Sequence, residues 1–256
     1  MPEARAPRTE RFASFDGTEL AVHRQGTGRP AVLLHGLYSS ADMNWIRFGH
    51  AARLAEAGFE AIMPDLRAHG QSAAPHDASA YPPGVLVRDL AAIVTGLGLQ
   101  DFDLVGFSLG ARTAVGGVIA GLAPRRLVLA GMGLESLSNW DRRARFFVDA
   151  IDRFGEIKRG DAAFFTVQFM KTMKIDPVAA RLLLTEGIDD PPLGGLARLT
   201  MPTLIVAGDQ DRDNGSPTAL AEALPNAAFE EIPGTHMSCV TEPPLGEAIV
   251  RFLAAP

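Results

Sequence analysis

The feature that most constrains the fold is an alternation of short apolar runs with longer helix-like segments. The runs are rich in Val, Ile or Leu, and most are followed by Gly, His or Asp and then by apolar residues at helical spacing. Such runs are typical of strands covered on both faces of a parallel sheet. The sequence therefore predicts an α/β fold with a mostly parallel, doubly wound sheet of about eight strands. The predicted strands are residues 31–34, 61–64, 102–107, 126–130, 203–207 and 228–232, preceded by a hairpin of residues 12–16 and 19–24.

The alternation stops between residues 134 and 196, where helical patterns dominate. We expect an α/β core made of residues 1–133 and 197–256, with a helical lid insertion at 134–196 between its two parts. Phenylalanines concentrated in the insertion pack it onto the core, line an apolar acyl pocket, or do both. Helices are predicted over residues 41–57, 85–97, 109–122, 216–224 and 245–253 in the core, and over 142–154 and 161–173 in the insertion.

Composition excludes several classes of partner. The net charge of -6 gives no electrostatic reason to expect nucleic acid or an anionic membrane surface. Cys239 is the only cysteine, and the histidines lack zinc-binding spacing, so we expect no metal and no organic cofactor. The sequence also has no secretory signal pattern and no apolar run of about eighteen residues, which predicts a cytoplasmic protein.

The segment Gly-Phe-Ser-Leu-Gly at residues 106–110 lies directly between a predicted strand and a predicted helix. A serine on so tight a turn requires an unusual backbone, and glycines two residues to either side remove side chains that would collide there. We therefore expect Ser108 to be a nucleophile. The amide of Leu109 and the amide of Leu37, after His35-Gly36 at the end of another strand, are the candidate oxyanion donors.

A serine nucleophile needs a base, and His236 lies in a loop just after the last predicted strand. The base in turn needs an acid after the strand at 203–207. Asp209, Asp211 and Asp213 all lie there, and at most one of them fills this role. We favour Asp211, and the others fit turn-forming or helix-capping roles.

These residues resemble the α/β-hydrolase superfamily over nearly the whole chain outside the insertion. The shared motifs are HG at 35–36, DLRAHGQS at 65–72, GFSLG at 106–110 and GDQD at 208–211. The resemblance implies a Ser108, Asp211, His236 triad and a hydrogen-bonded brace of Asp65, Arg67 and His69, with a substrate-contact role for this loop as the alternative. Ala68 and Ala111 depart from positions where relatives commonly carry glycine. Serine at position 108 argues against the haloalkane dehalogenases and epoxide hydrolases of the superfamily, which use aspartate there.

The function expected is hydrolysis of a small, apolar carboxylic ester or related acyl substrate through an acyl-enzyme. An acyltransferase, a perhydrolase or a carbon-carbon bond hydrolase on the same triad remains an alternative, as does a non-catalytic ligand-binding protein. Phe107, Trp140 and Phe146 are candidate substrate-binding residues. Trp45 is a second tryptophan that could reach the pocket mouth, although single aromatic residues more often pack in the core. The only partner expected is the small-molecule acyl substrate, and the sequence leaves the oligomeric state open.

Overall fold

A single eight-stranded sheet organises the protein, in the order β1-β2-β4-β3-β5-β6-β7-β8. The structure is a computed structural model that describes residues 6–256. Strands β3 to β8 are mutually parallel, while β1 and β2 are antiparallel to their neighbours. This confirms the predicted mostly parallel α/β fold. The strands are β1 Arg8–Ala13, β2 Glu19–Gly26, β3 Arg29–Leu34, β4 Phe59–Pro64, β5 Asp103–Phe107, β6 Leu127–Ala130, β7 Thr203–Gly208 and β8 Ala227–Ile232.

Helices cover both faces of the sheet. Along β5, Leu104 packs into one core with helices α2 and α3, whereas Val105 packs into a second core with α1 and α8. Successive side chains of a strand point to opposite faces, so the two cores lie on the two sides of the sheet. The helices are α1 His50–Glu56, α2 Val85–Gly96, α3 Leu109–Ile119, α4 Trp140–Asp152, α5 Phe164–Thr172, α6 Pro177–Leu182, α7 Pro217–Ala223 and α8 Pro243–Ala254.

Two predicted elements differ from the structure. The predicted helix at 41–57 is split into a π-helical turn, Asp42–Ile46, and α1, because Gly49 adopts φ +80° between them. The first strand ends at Ala13 and does not reach residue 16. The amide of Ser14 donates to the carbonyl of Thr18 at 2.9 Å, which starts the hairpin turn there.

The chain between β6 and β7 contains helical elements and no strand, and all of its residues are described. Besides α4, α5 and α6 it holds short helical turns at Leu134–Leu137, Leu183–Gly187 and Leu193–Arg198. The helical character of this segment is as predicted, and its role as a lid remains a prediction. Within residues 6–256, no helix has the length and apolarity that crossing a bilayer requires.

Candidate active site

Ser108 lies on a strained turn between β5 and α3, with φ 52° and ψ -113°. Its amide donates to the Ala130 carbonyl at 2.8 Å, which fixes the turn to the neighbouring strand. A Cβ on Gly106 would collide with the backbone of Gly110, and one on Gly110 would collide with the Leu34 carbonyl. Both glycines are therefore required by close backbone approach, which is the reason for their spacing around the serine.

A continuous hydrogen-bonded chain links Ser108, His236 and Asp211. Ser108 Oγ donates to His236 Nε2 at 3.1 Å, and His236 Nδ1 donates to Asp211 Oδ2 at 2.7 Å. The His236 and Asp211 side chains are only 13% and 4% exposed. Burial raises the pKa of the Asp211 carboxyl, but the hydrogen bonds from His236 and the Asp213 amide, with nearby positive charge, outweigh burial, and the pKa lies below its usual value. Asp211 is thus a carboxylate, suited to hold a proton on Nδ1 and leave the Nε2 lone pair facing the serine.

The other two aspartates of this loop have different contacts. Asp209 Oδ1 accepts the Gly234 amide at 2.8 Å, which joins the end of β7 to the loop that carries His236. Asp213 contributes its backbone amide, which donates to Asp211 Oδ1 at 3.0 Å. Of the three, Asp211 is the one that contacts the imidazole in the structure, in agreement with the preference from sequence.

One group of side chains in the described part of the chain has spacing suited to a metal ion, and it overlaps this site. Ligand atoms of Asp211, Asp213 and His236 lie within 4.8 Å of one another. Both imidazole nitrogens, however, already face Asp211 and Ser108. A metal ion here would have to displace the hydrogen-bonded chain, so the site fits that chain better than a metal centre.

The loop after β3 presents the Leu37 amide without an acceptor. The amide before it, Gly36, donates to Asn44 Oδ1 at 3.1 Å, and the amide after it, Tyr38, donates to His69 Nε2 at 2.9 Å. Within residues 6–256, neither the Leu37 amide nor the Leu109 amide donates to another group. Both amides are therefore left as free donors, and their role in binding an oxyanion remains the expectation from sequence.

The motif at 65–72 forms the hydrogen-bonded brace that the sequence predicts. Asp65 accepts the amides of Ala41 and Gln71, both at 2.8 Å. His69 must be neutral to accept the Tyr38 amide, and burial lowers its pKa to about 3. Ala68, where relatives commonly carry glycine, adopts φ 65°, which explains the preference for glycine at this position.

The predicted substrate-binding residues lie in three different environments. Phe107 is buried with its ring 5.0 Å from that of His236. Trp140 is buried, and its indole nitrogen donates to the Leu184 carbonyl at 3.0 Å. Phe146 on α4 is 42% exposed and packs edge-on against Phe147. Trp45 is fully buried beside α1, so its placement at a pocket mouth is wrong and the packing alternative holds.

Two asparagines that sequence reasoning missed shape the site. Asn44 accepts the Gly36 amide and so helps turn the loop that carries Leu37. Asn214 is buried, donates to the Gly131 carbonyl at 2.9 Å and lies 3.1 Å from His236 Nδ1. Asn214 precedes a glycine in a polar stretch, a pattern that indicates a turn and gives no sign of contact with His236.

Comparison with known proteins shows which family the chain belongs to. A family model described as "Alpha/beta hydrolase family" matches residues 31–247. The chain belongs to the alpha/beta hydrolase family. It is a hydrolase, as the motifs at the serine turn and at residues 35–36 predict.

Individual relatives differ in activity and in the length they share with this hydrolase. A non-heme haloperoxidase from Rhodococcus erythropolis is 28% identical over 88% of this chain and 91% of its own length. An epoxide hydrolase from Caballeronia sordidicola is 37% identical over an aligned segment that covers 39% of this chain and 29% of the relative. The solved structure of an esterase from Exiguobacterium antarcticum has a TM-score of 0.74 at 21% identity, covering 97% of this chain and all of that one. At that identity the likeness shows the fold.

Proposed function

We propose that this hydrolase cleaves a small, apolar carboxylic ester or related acyl substrate through an acyl-enzyme on Ser108. The observation that carries the proposal is the chain from Ser108 Oγ through His236 to Asp211, at 3.1 and 2.7 Å, beside two free amides. A neutral serine is a poor nucleophile, and a hydrogen-bonded base with an orienting acid is the common means of activating it.

In the acylation step, Ser108 Oγ attacks the substrate carbonyl carbon while His236 Nε2 takes the hydroxyl proton. The carbonyl π electrons move onto oxygen, where the amides of Leu37 and Leu109 stabilise the negative charge. Collapse of this intermediate expels the alcohol, which receives its proton from His236. Asp211 holds the ring and stabilises the transient imidazolium.

Deacylation repeats these steps with water. His236 takes a proton from water as its oxygen attacks the acyl carbon, and it returns the proton to Ser108 as the carboxylic acid leaves. Every proton and electron pair is carried by protein side chains and substrate, so the cycle uses no additional group.

An apolar acyl group is supported by the aromatic residues of α4 and α5. Phe147 and Phe169 are partly buried against the core, and Phe146 is partly exposed on the same helix as Phe147. Apolar side chains in this position favour an aliphatic or aromatic acyl chain over a charged one. We place Phe107, Trp140 and Phe146 in the substrate-binding region within this proposal.

The haloperoxidase relative favours perhydrolysis as a second candidate function, because that relative aligns with this chain over most of both lengths. In perhydrolysis, hydrogen peroxide replaces water in deacylation, and the acyl-enzyme releases a peracid. We do not extend the epoxide hydrolase name to this chain. The epoxide hydrolase match covers only 39% of this chain. The serine turn also carries Ser108 where epoxide hydrolases of the superfamily use an aspartate.

The proposal is tested by hydrolysis of p-nitrophenyl esters of graded acyl length by the wild type, Ser108→Ala and Ser79→Ala. Ser79 is exposed on a surface turn and serves as the matched control. We expect turnover in the wild type and in Ser79→Ala, and a loss of at least about 10³-fold in Ser108→Ala. Peroxide added as acceptor separates perhydrolysis from hydrolysis. No turnover of any ester, with Ser108 still labelled by a fluorophosphonate, would contradict the proposal and favour a ligand-binding protein.

A further inference from the structure

Arg143 reaches from α4, in the helical segment, to the loop that carries Asp211. Its Nη1 donates to the Asp213 carbonyl at 3.1 Å, and its Nη2 donates to Asn214 Oδ1 at 2.7 Å. Within residues 6–256 its guanidinium has no carboxylate within ion-pair distance. We call residues 209–216 the acid loop. Both hydrogen bonds of the Arg143 guanidinium are made to this loop.

The Asn214 side chain lies between Arg143 and His236, and it packs against the imidazole without a hydrogen bond because Nδ1 already donates to Asp211. Its Oδ1 faces Arg143, while its Nδ2 donates to the Gly131 carbonyl at 2.9 Å and lies 3.1 Å from His236 Nδ1. A guanidinium can only donate and a carbonyl can only accept, so these two partners fix which end of the amide faces which way. Asn214 is only 4% exposed and has little freedom to find other partners.

Loss of the Arg143 contact would free the amide to rotate. The Asn214 oxygen could then face His236 Nδ1 and accept its proton in competition with Asp211. The imidazole would move away from the geometry in which Nδ1 donates to Asp211 at 2.7 Å and Nε2 faces Ser108 at 3.1 Å. A displacement of this kind weakens proton transfer without changing substrate contacts.

The same helical segment also holds the acid loop at its last residue, Ser216. The Ser216 amide donates to Glu135 Oε2 at 2.7 Å, and the Leu134 amide donates to the Ser216 carbonyl at 3.1 Å. A Cβ on Gly133 would collide with the Asn214 carbonyl, so the two backbones are in close contact. The second half of the acid loop, residues 213–216, is therefore held in position by the helical segment.

The charges around Arg143 agree with this role. Burial lowers the pKa of its guanidinium, and the charges of Asp213 and Asp211 raise it, with a balance below the usual value. Arg143 is thus a partly desolvated cation that feels the charges of Asp211 and Asp213 beyond ion-pair distance.

We propose that Arg143 is a positioning residue that acts through Asn214 to keep His236 aligned between Asp211 and Ser108. Helix α4 then takes part in assembling the catalytic residues as well as covering them. This inference rests on the proposed function of Ser108 and His236.

The test compares Arg143→Met, Arg143→Lys, Asn214→Ala and the double variant Arg143→Met/Asn214→Ala with the wild type. Arg142→Met is the matched control, because Arg142 is the exposed neighbour of Arg143 on α4. With a p-nitrophenyl ester, we expect kcat to fall about tenfold in Arg143→Met with KM within about twofold. We expect partial recovery in Arg143→Lys, which keeps a donor, and wild-type behaviour in Arg142→Met. Because both residues act in one relay, the double variant should lose no more than the worse single variant.

A second readout does not depend on turnover. In the free protein, the downfield proton resonance of His236 Nδ1–H reports its hydrogen bond to Asp211. We expect this resonance to move upfield or broaden in Arg143→Met and to stay unchanged in Arg142→Met. An unchanged resonance with unchanged kcat overturns the proposal, as do additive losses in the double variant or a loss confined to KM. If the wild type cleaves no ester, the proposed function fails, while the resonance still decides the positioning role.

Discussion

Replacing Asp211 with asparagine keeps the shape of the side chain but turns one acceptor oxygen into a donor nitrogen. In the structure both oxygens accept, Oδ2 from His236 Nδ1 at 2.7 Å and Oδ1 from the Asp213 amide at 3.0 Å. An amide cannot satisfy both partners. If its oxygen keeps the Asp213 amide, its nitrogen donates to Nδ1, and the ring proton moves to Nε2. That tautomer cannot take the proton of Ser108.

The size of the effect follows from the same distance. Two unit charges 2.7 Å apart at an effective dielectric constant of about 20 interact by about 6 kcal/mol, and the low exposure of this pair supports that value over the value for water. Loss of this interaction with the imidazolium, together with the wrong tautomer, predicts a fall in kcat of about 10⁴-fold, or about 5.5 kcal/mol. The two figures agree within their precision.

The assay is kcat with a p-nitrophenyl ester at pH 8 for Asp211→Asn, beside Asp209→Asn and Asp213→Asn, with thermal melting to confirm folding. Asp209 accepts one amide, from Gly234, and an asparagine oxygen can keep that bond. Asp213 meets its neighbour through its backbone amide, which substitution leaves in place. Both control variants should stay within about tenfold of the wild type. The reasoning is refuted if Asp211→Asn keeps more than a tenth of wild-type kcat, or if either control loses more than Asp211→Asn.

Three further outcomes are expected. Gly110→Ala should destabilise the fold by about 3 kcal/mol in urea unfolding, because the new methyl group collides with the Leu34 carbonyl; unchanged stability would show that the turn can relax. Burial lowers the pKa of His69 to about 3, so the unfolded chain binds its proton first and stability is lost as pH falls below about 6.5. Between pH 7 and pH 5 the loss in free energy of unfolding due to His69 amounts to about 2 kcal/mol, and His69→Gln should reduce the measured loss by that amount. An equal loss in both proteins would contradict this role of His69. Finally, kcat should fall towards acid pH, since general-base catalysis needs an imidazole free of its proton; a flat profile argues against this base.

Much of the fold was predictable because its signals are local. The strands β3 to β7 are near-continuous apolar runs, and burial on both faces of a parallel sheet leaves little choice of residue there. The helix predicted at 41–57 was wrong in its middle. Apolar spacing continues through Gly49, whereas the backbone breaks at its positive φ.

The site was predictable to the extent that its residues carry local patterns. Ser108 is marked by two glycines that the close backbone requires, and His236 by its place after the last strand. Sequence left three aspartates open, because only the folded loop shows which carboxylate meets the imidazole. Asn44 and Asn214 could not be found at all. Their contacts with the Gly36 amide and with His236 are made across the fold, and no spacing in the chain reports them.

The most direct test of the central claim is to trap the acyl-enzyme. The hydrolase is mixed rapidly with a p-nitrophenyl ester, quenched in acid within milliseconds to seconds, and analysed by intact mass and peptide mapping. We predict a burst of p-nitrophenol equal to the enzyme concentration and an acyl group on the peptide that contains Ser108, both absent from Ser108→Ala. An adduct on a residue other than Ser108, or a burst of equal size in Ser108→Ala, would contradict the account.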